Sequence, residues 1–174
     1  MSKSQRQRDA PLADRTLLFV VMRFALYFAA LVVAIFLANA VGVWRNMQLA
    51  TASLSTAIAG TLGLATTRSG ILIGLTGRTL SIDLACTALF IVALYSALVL
   101  AYPVSPKMRL FGMAAGTPII LLANIGRIVA AIAVSAALPS EFQFFHDYLF
   151  EAGMVLVTVA IWAVWLSSAR RDAR

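Results

Sequence analysis

One cysteine, one histidine and seven acidic residues are the whole supply of thiol, imidazole and carboxylate in 174 residues. A single cysteine excludes an intramolecular disulfide whatever the compartment. One cysteine with one histidine cannot build a usual zinc site, and nothing in the chain calls for an organic cofactor, so none is expected. Charge is scarce as well: 12% of residues are charged against 61% hydrophobic, a balance that excludes an ordinary soluble domain. The net charge of +7 comes without an aromatic-interleaved basic stripe or a known binding motif, which argues against nucleic acid as partner.

What the chain has instead is long apolar runs. Four reach the roughly 20 residues that a hydrocarbon core demands: Leu17–Ala40, interrupted by Arg23, then 82–102, 110–138 and 148–166. Backbone in lipid must satisfy its own hydrogen bonds, and continuous runs rather than ten-residue alternation select helices over a barrel. The expectation is an all-α polytopic membrane protein with about four transmembrane helices. A single membrane-embedded domain, 17–168, lies between basic tails 1–16 and 169–174. Those tails carry Lys3, Arg6, Arg8, Arg15, Arg170, Arg171 and Arg174, the loop between runs two and three adds Lys107 and Arg109, and the remaining segments hold only Arg45, Arg68 and Arg78. The positive-inside rule then puts both termini in the cytoplasm, with anionic membrane lipids as partner. Ala38-Asn39-Ala40 resembles a signal-peptidase site, but the 24-residue run before it exceeds the usual apolar core of about 7 to 15 residues, so an uncleaved helix is expected. A fifth span at 49–67 is set aside because it is rich in Ala, Ser, Thr and Gly and would separate the two basic tails.

The outer segment 42–81 reads as two parts. From Trp44 to Ala59 a helix at the interface is expected, with Trp44 as an anchor. Gly70, Gly74 and Gly77 then punctuate short apolar pieces, and the alternation Thr79-Leu80-Ser81-Ile82 suggests a small β-hairpin leading into run two. The short Pro-containing turn 103–109 makes runs two and three antiparallel neighbours.

Arg127 stands in an otherwise uncharged run. A guanidinium does not deprotonate, and at membrane depth it costs roughly 2.5 to 3.5 kcal/mol unless it has a partner or a wet cavity. Cys86, about one turn into run two, and His146, just before run four, share the outer depth. Arg127 joins them if helix three starts near Leu110 as one long helix, the favoured register, and not if it breaks at Gly116 and Pro118. Asn124, at i−3 from Arg127, lies on the same face. Asp83, Glu141, Asp147 and Glu151 read as solvated or interfacial charges, with Asp83 or Asp147 as candidates to orient a histidine. Taken singly, the cysteine is a small buried hydrophobe and the histidine an interfacial anchor; their coincidence with Arg127 favours catalysis. Two other classes stand beside that reading: a non-catalytic lipid-binding or assembly subunit, with Arg127 on a phosphate or a partner helix, and a small anion transporter, ranked last because the runs show no inverted repeat.

At these residues the chain resembles the exosortase/archaeosortase family of membrane-embedded cysteine transpeptidases. The matching stretches are Ile82-Asp83-Leu84-Ala85-Cys86-Thr87-Ala88, Asn124-Ile125-Gly126-Arg127-Ile128 and Phe145-His146-Asp147-Tyr148-Leu149, in the family's order of cysteine, Asn-x-x-Arg and histidine. Similarity extends over roughly 66–166 and looks most like the compact exosortase H type. One departure stands out: the family's cysteine is usually followed by Ser or Asn and then Gly, where this chain has Thr87-Ala88, and alanine disfavours positive φ. The resemblance implies cleavage and transfer of C-terminal sorting-signal tails of secreted proteins at the outer face of the bacterial cytoplasmic membrane. It also implies catalytic roles for Cys86, Arg127 and His146, supported by Asn124, Asp83 and Asp147.

Overall fold

The structure, a computed structural model, describes residues 3–75 and 77–172, with side chains described for 17–170 apart from 76. It is mostly helical. Three stretches are long and apolar enough to cross a membrane: Leu17–Ala40 within α1 (Lys3–Ala40), α4 (Pro106–Ala137), and Phe142–Arg170. The last comprises a short turn α5 (Phe142–Phe144), a π turn (Phe145–Leu149) and α6 (Phe150–Asp172).

The run expected as the second span, 82–102, is only partly helical. Its helix α3 (Leu89–Ala101) has 13 residues, about 20 Å at 1.5 Å per residue against a hydrocarbon core of about 30 Å. Ile82 is tied to the sheet by its N–H to the carbonyl of Ile71 (2.9 Å), and a 3-10 turn (Ala85–Thr87) fills the space up to α3. No residue of α3 is exposed, and Tyr95, Ala97 and Val99 are fully buried. A helix apolar all round belongs inside a bundle, and α3 packs against α1, α4 and α6.

Close approach of α3 and α6 to α4 depends on two glycines one turn apart. Tyr95 donates its hydroxyl to the Gly112 carbonyl (2.8 Å) and Trp165 donates its indole N–H to the Met108 carbonyl (3.0 Å). A Cβ on Gly112 would overlap the Trp165 indole, and one on Gly116 would overlap the Tyr95 ring. Gly116→Ala is therefore expected to lower stability by about 1–3 kcal/mol through overpacking. Gly126→Ala, whose Cβ meets nothing within 4 Å, is neutral or slightly stabilising through helix propensity. Thermal unfolding of the detergent-solubilised variants compares them, and equal midpoints would contradict the packing argument.

Helix α4 runs unbroken through Pro118, which forfeits one backbone bond but does not end the helix. Run three is thus one long helix, not one broken near Pro118. Its N-terminus has Ser105 as cap, accepting from the Met108 N–H (3.3 Å), with Pro106 at the first turn.

Segment 42–81 forms a cap on the bundle. Helix α2 (Arg45–Thr61) corresponds to the expected interface helix, but Trp44 donates its indole N–H to the Ile35 carbonyl of α1 (3.0 Å) and packs in the α1–α3 cluster. In place of a hairpin there are three antiparallel strands in order β1 (Thr67–Ser69), β2 (Leu72–Leu75), β3 (Arg78–Ser81). Ile73 pairs with both Arg68 and Leu80. Ile73 and Ile82 join Ala52 and Ala59 of α2, Ile128 and Ile132 of α4, and Cys86 in one apolar cluster. The cap and the cysteine turn are therefore a single packed unit.

Candidate active site

Cys86 is held by its own turn. Asp83 accepts the N–H groups of Ala85 (3.0 Å) and Cys86 (3.3 Å) on Oδ1, and Thr87 bonds its hydroxyl to the Leu84 carbonyl (2.6 Å). These are the local side-chain caps that Asp and Thr make in preference to continued helix. The turn ends at Ala88 with φ +62°, among the described residues the only non-glycine with positive φ. This is the position where the resemblance expects glycine, so the backbone keeps the left-handed geometry and accepts a methyl in it. The strain is about 1–2 kcal/mol, offset in part by burial of that methyl at about 0.8 kcal/mol. Ala88→Gly should leave stability within about 1 kcal/mol, whereas a β-branched Ala88→Val costs more than about 2 kcal/mol. Denaturation midpoints of the two variants decide it, and an unaffected Ala88→Val would refute the strain.

Asn124, fully buried on α4, donates its amide N–H to the Cys86 carbonyl (2.8 Å), while its Oδ1 has no partner. A pocket of about 210 Å³ adjoins it, lined also by Thr51 and Thr87. One turn on, Arg127 is 9% exposed at its side chain and pairs with Glu151 Oε1 at 3.3 Å; Glu151 is 53% exposed. Glu151 is exposed, as the reading of it as a solvated or interfacial charge expects, and it also serves as the partner of Arg127. An intramembrane guanidinium predicts a partner, and an acid in the first turn of the next span was the signal available. Arg127 is also near enough to act electrostatically on Cys86.

The Cys86 turn lies outside the three long apolar helices, and its thiol is 8% exposed as part of the residue, donating weakly to the Ser81 carbonyl (3.6 Å). Burial pushes this thiol up to about 11; the Asp83 carboxylate adds to the rise, and the Arg127 guanidinium pulls against it without prevailing. At neutral pH the resting group is a thiol, not a thiolate.

His146 lies in the π turn, Nδ1 against Asp147 Oδ1 (2.9 Å), its ring stacked on Phe142 at 5.4 Å. Asp147 also accepts from the Gln143 amide. Arg78 stands 4.6 Å over the Phe142 ring and donates to the Pro139 carbonyl (2.9 Å). A hydrogen on Nδ1 given to Asp147 leaves Nε2 as the basic nitrogen. In an α-helix His146 and Glu151, five residues apart, would point about 140° from each other; the wider π turn reduces that angle. Among the described residues His146 hydrogen-bonds to neither Cys86 nor Arg127. The structure therefore brings together Cys86, Asp83, Asn124, Arg127 and Glu151, with the His146–Asp147 pair preceding Glu151 in the same segment.

The described residues contain no group of three His, Cys, Asp or Glu able to hold a metal. No curated protein and no solved structure matches the chain significantly. A match to the transmembrane exosortase family covers residues 13–166, nearly the whole length: the chain belongs to the transmembrane exosortase family.

Proposed function

We propose that this protein is a membrane-embedded cysteine transpeptidase that cleaves the C-terminal sorting tails from secreted proteins and transfers the remaining acyl group to a second nucleophile at the outer face of the cytoplasmic membrane. The observation that carries the proposal is the clamp of Asn124 on the Cys86 carbonyl, one helical turn from Arg127. It ties the cysteine turn to the guanidinium through a single buried bond. In this reading α3 is the fourth helix of the bundle, both termini are cytoplasmic, and a membrane-anchored tail meets Cys86 where it leaves the bilayer.

His146 Nε2 takes the thiol proton as sulfur attacks the scissile carbonyl, and Asp147 holds the imidazole that becomes charged. Arg127 stabilises the tetrahedral oxyanion, in a site where few water molecules compete. Collapse breaks the C–N bond; the departing amine takes the proton from His146 and leaves a thioester on Cys86. A second nucleophile then attacks the thioester and releases the thiol. The raised thiol of the resting protein makes thiolate formation dependent on an approaching base, which limits reaction with adventitious electrophiles.

A second reading, a non-catalytic lipid-binding or assembly subunit, draws on the same raised thiol and on the engagement of Arg127 by Glu151. It predicts that Cys86 is dispensable. Co-expression with a secreted protein carrying an apolar, basic-ended C-terminal tail separates the two: a thioester adduct on Cys86 and loss of the tail support the transpeptidase, and processing without Cys86 refutes it.

A further inference from the structure

At the end of the bundle remote from Cys86, three guanidiniums gather around the last turn of α3. Arg23 donates to the Tyr27 hydroxyl (3.2 Å) and the Leu100 carbonyl (3.5 Å), Arg109 to the Tyr102 carbonyl (3.3 Å), and Arg170 to the Tyr102 hydroxyl (3.3 Å). Among the described residues none of the three meets a carboxylate; the ion pairs there are Arg127–Glu151 and His146–Asp147. Arg23 and Arg109 line a pocket of about 440 Å³ with Ser105 and Met108. The Arg109 Nε is buried without a hydrogen-bond partner, so the donors that Arg109 can offer to the pocket are its terminal nitrogens. The N-terminus of α4, capped by Ser105, opens on the same pocket and adds its positive end.

Two positive charges lining one pocket at a helix N-terminus suit a tetrahedral oxyanion, and guanidiniums match phosphate by their forked donors. The flanks specify its source. Phe19, Met22 and Leu26 of α1 and Leu110 and Phe111 of α4 are exposed and apolar beside the arginines, a surface for acyl chains below a headgroup. We propose that this pocket binds the phosphate of an anionic phospholipid and so fixes the depth of the bundle at the face opposite the candidate active site. The site is independent of the cysteine chemistry.

Native mass spectrometry of the full-length protein in detergent tests it, with phosphatidylglycerol, phosphatidylcholine and inorganic phosphate as probes. Phosphatidylglycerol should be retained in preference to phosphatidylcholine. Arg23→Gln and Arg109→Gln should each weaken that retention by about tenfold, while Lys107→Gln, at the same end but outside the pocket, keeps it. Arg109→Lys preserves the charge and should retain more lipid than Arg109→Gln, which separates binding from a folding defect. Equal retention in the wild type and both glutamine variants, or equal retention of the two lipids, would overturn the proposal. Uptake of inorganic phosphate with no retention of phosphatidylglycerol would overturn the lipid source.

Discussion

Replacing Cys86 with alanine or serine is expected to abolish processing of a co-expressed tail-bearing protein, by at least about a thousandfold, because loss of the nucleophile removes the whole covalent route. The effect should come without loss of the protein. Cys86 is buried but small, so the alanine variant gives up one sulfur atom against the cap cluster, a cost of about 1 kcal/mol. The serine variant keeps the size and the turn, since Asp83 bonds to backbone N–H groups, not to the sulfur-bearing side chain alone. Serine still fails: its hydroxyl ionises far less readily than the thiol, and the buried site beside Asp83 already opposes a negative charge on the sulfur. Immunoblots of substrate and enzyme, with variants matched for accumulation, give the readout. Full processing by either variant would end the transpeptidase reading and leave the lipid-binding or assembly subunit.

Much of this arrangement is legible in the sequence, and the parts that are not have identifiable causes. The long runs in α1, α4 and α6 declare themselves because lipid tolerates so little polarity, and Arg127 declares itself for the same reason in reverse. The start of α3 does not. Ile82, Leu84 and Ala85 are as apolar as a span requires, and hydropathy cannot tell a helix from a strand end followed by a 3-10 turn; only Asp83 and Thr87, both residues that cap locally, hint at the turn. Strand β1 is hidden because Thr67-Arg68-Ser69 is polar throughout and shows no alternation. Pro118 invited a break that does not occur: α4 continues through it, packed at Gly112 and Gly116 against Trp165 and Tyr95. The π turn at Phe145–Leu149 has no sequence signature, so the orientation of His146 was beyond reach even though its position was not.

Glu151 supplies the second large expected effect, through opposite signs. The pair it makes with Arg127 is lopsided: the guanidinium is 9% exposed and the carboxylate 53%. Removing Arg127 leaves a carboxylate that water can take over, while removing Glu151 leaves a largely buried cation without its counter-charge, the more costly of the two changes. The thiol reports the difference in potential. Neutralising Glu151 in Glu151→Gln unmasks the guanidinium, favours the thiolate and moves alkylation of Cys86 by iodoacetamide to lower pH. Arg127→Gln removes the one cation that opposes burial, so the thiol, already near 11, rises further and alkylation moves to higher pH. Because Cys86 is the only cysteine in the chain, the alkylation profile needs no correction for other thiols. Processing should fall by about a hundred- to a thousandfold in Arg127→Gln, the usual loss when an oxyanion-stabilising donor is removed. Arg127→Lys should recover only part of it, since a single ammonium cannot hold Glu151 and an oxyanion with the same fork. Shifts of the two profiles in the same direction, or profiles identical to the wild type, would show that Arg127 serves the fold and not the thiol.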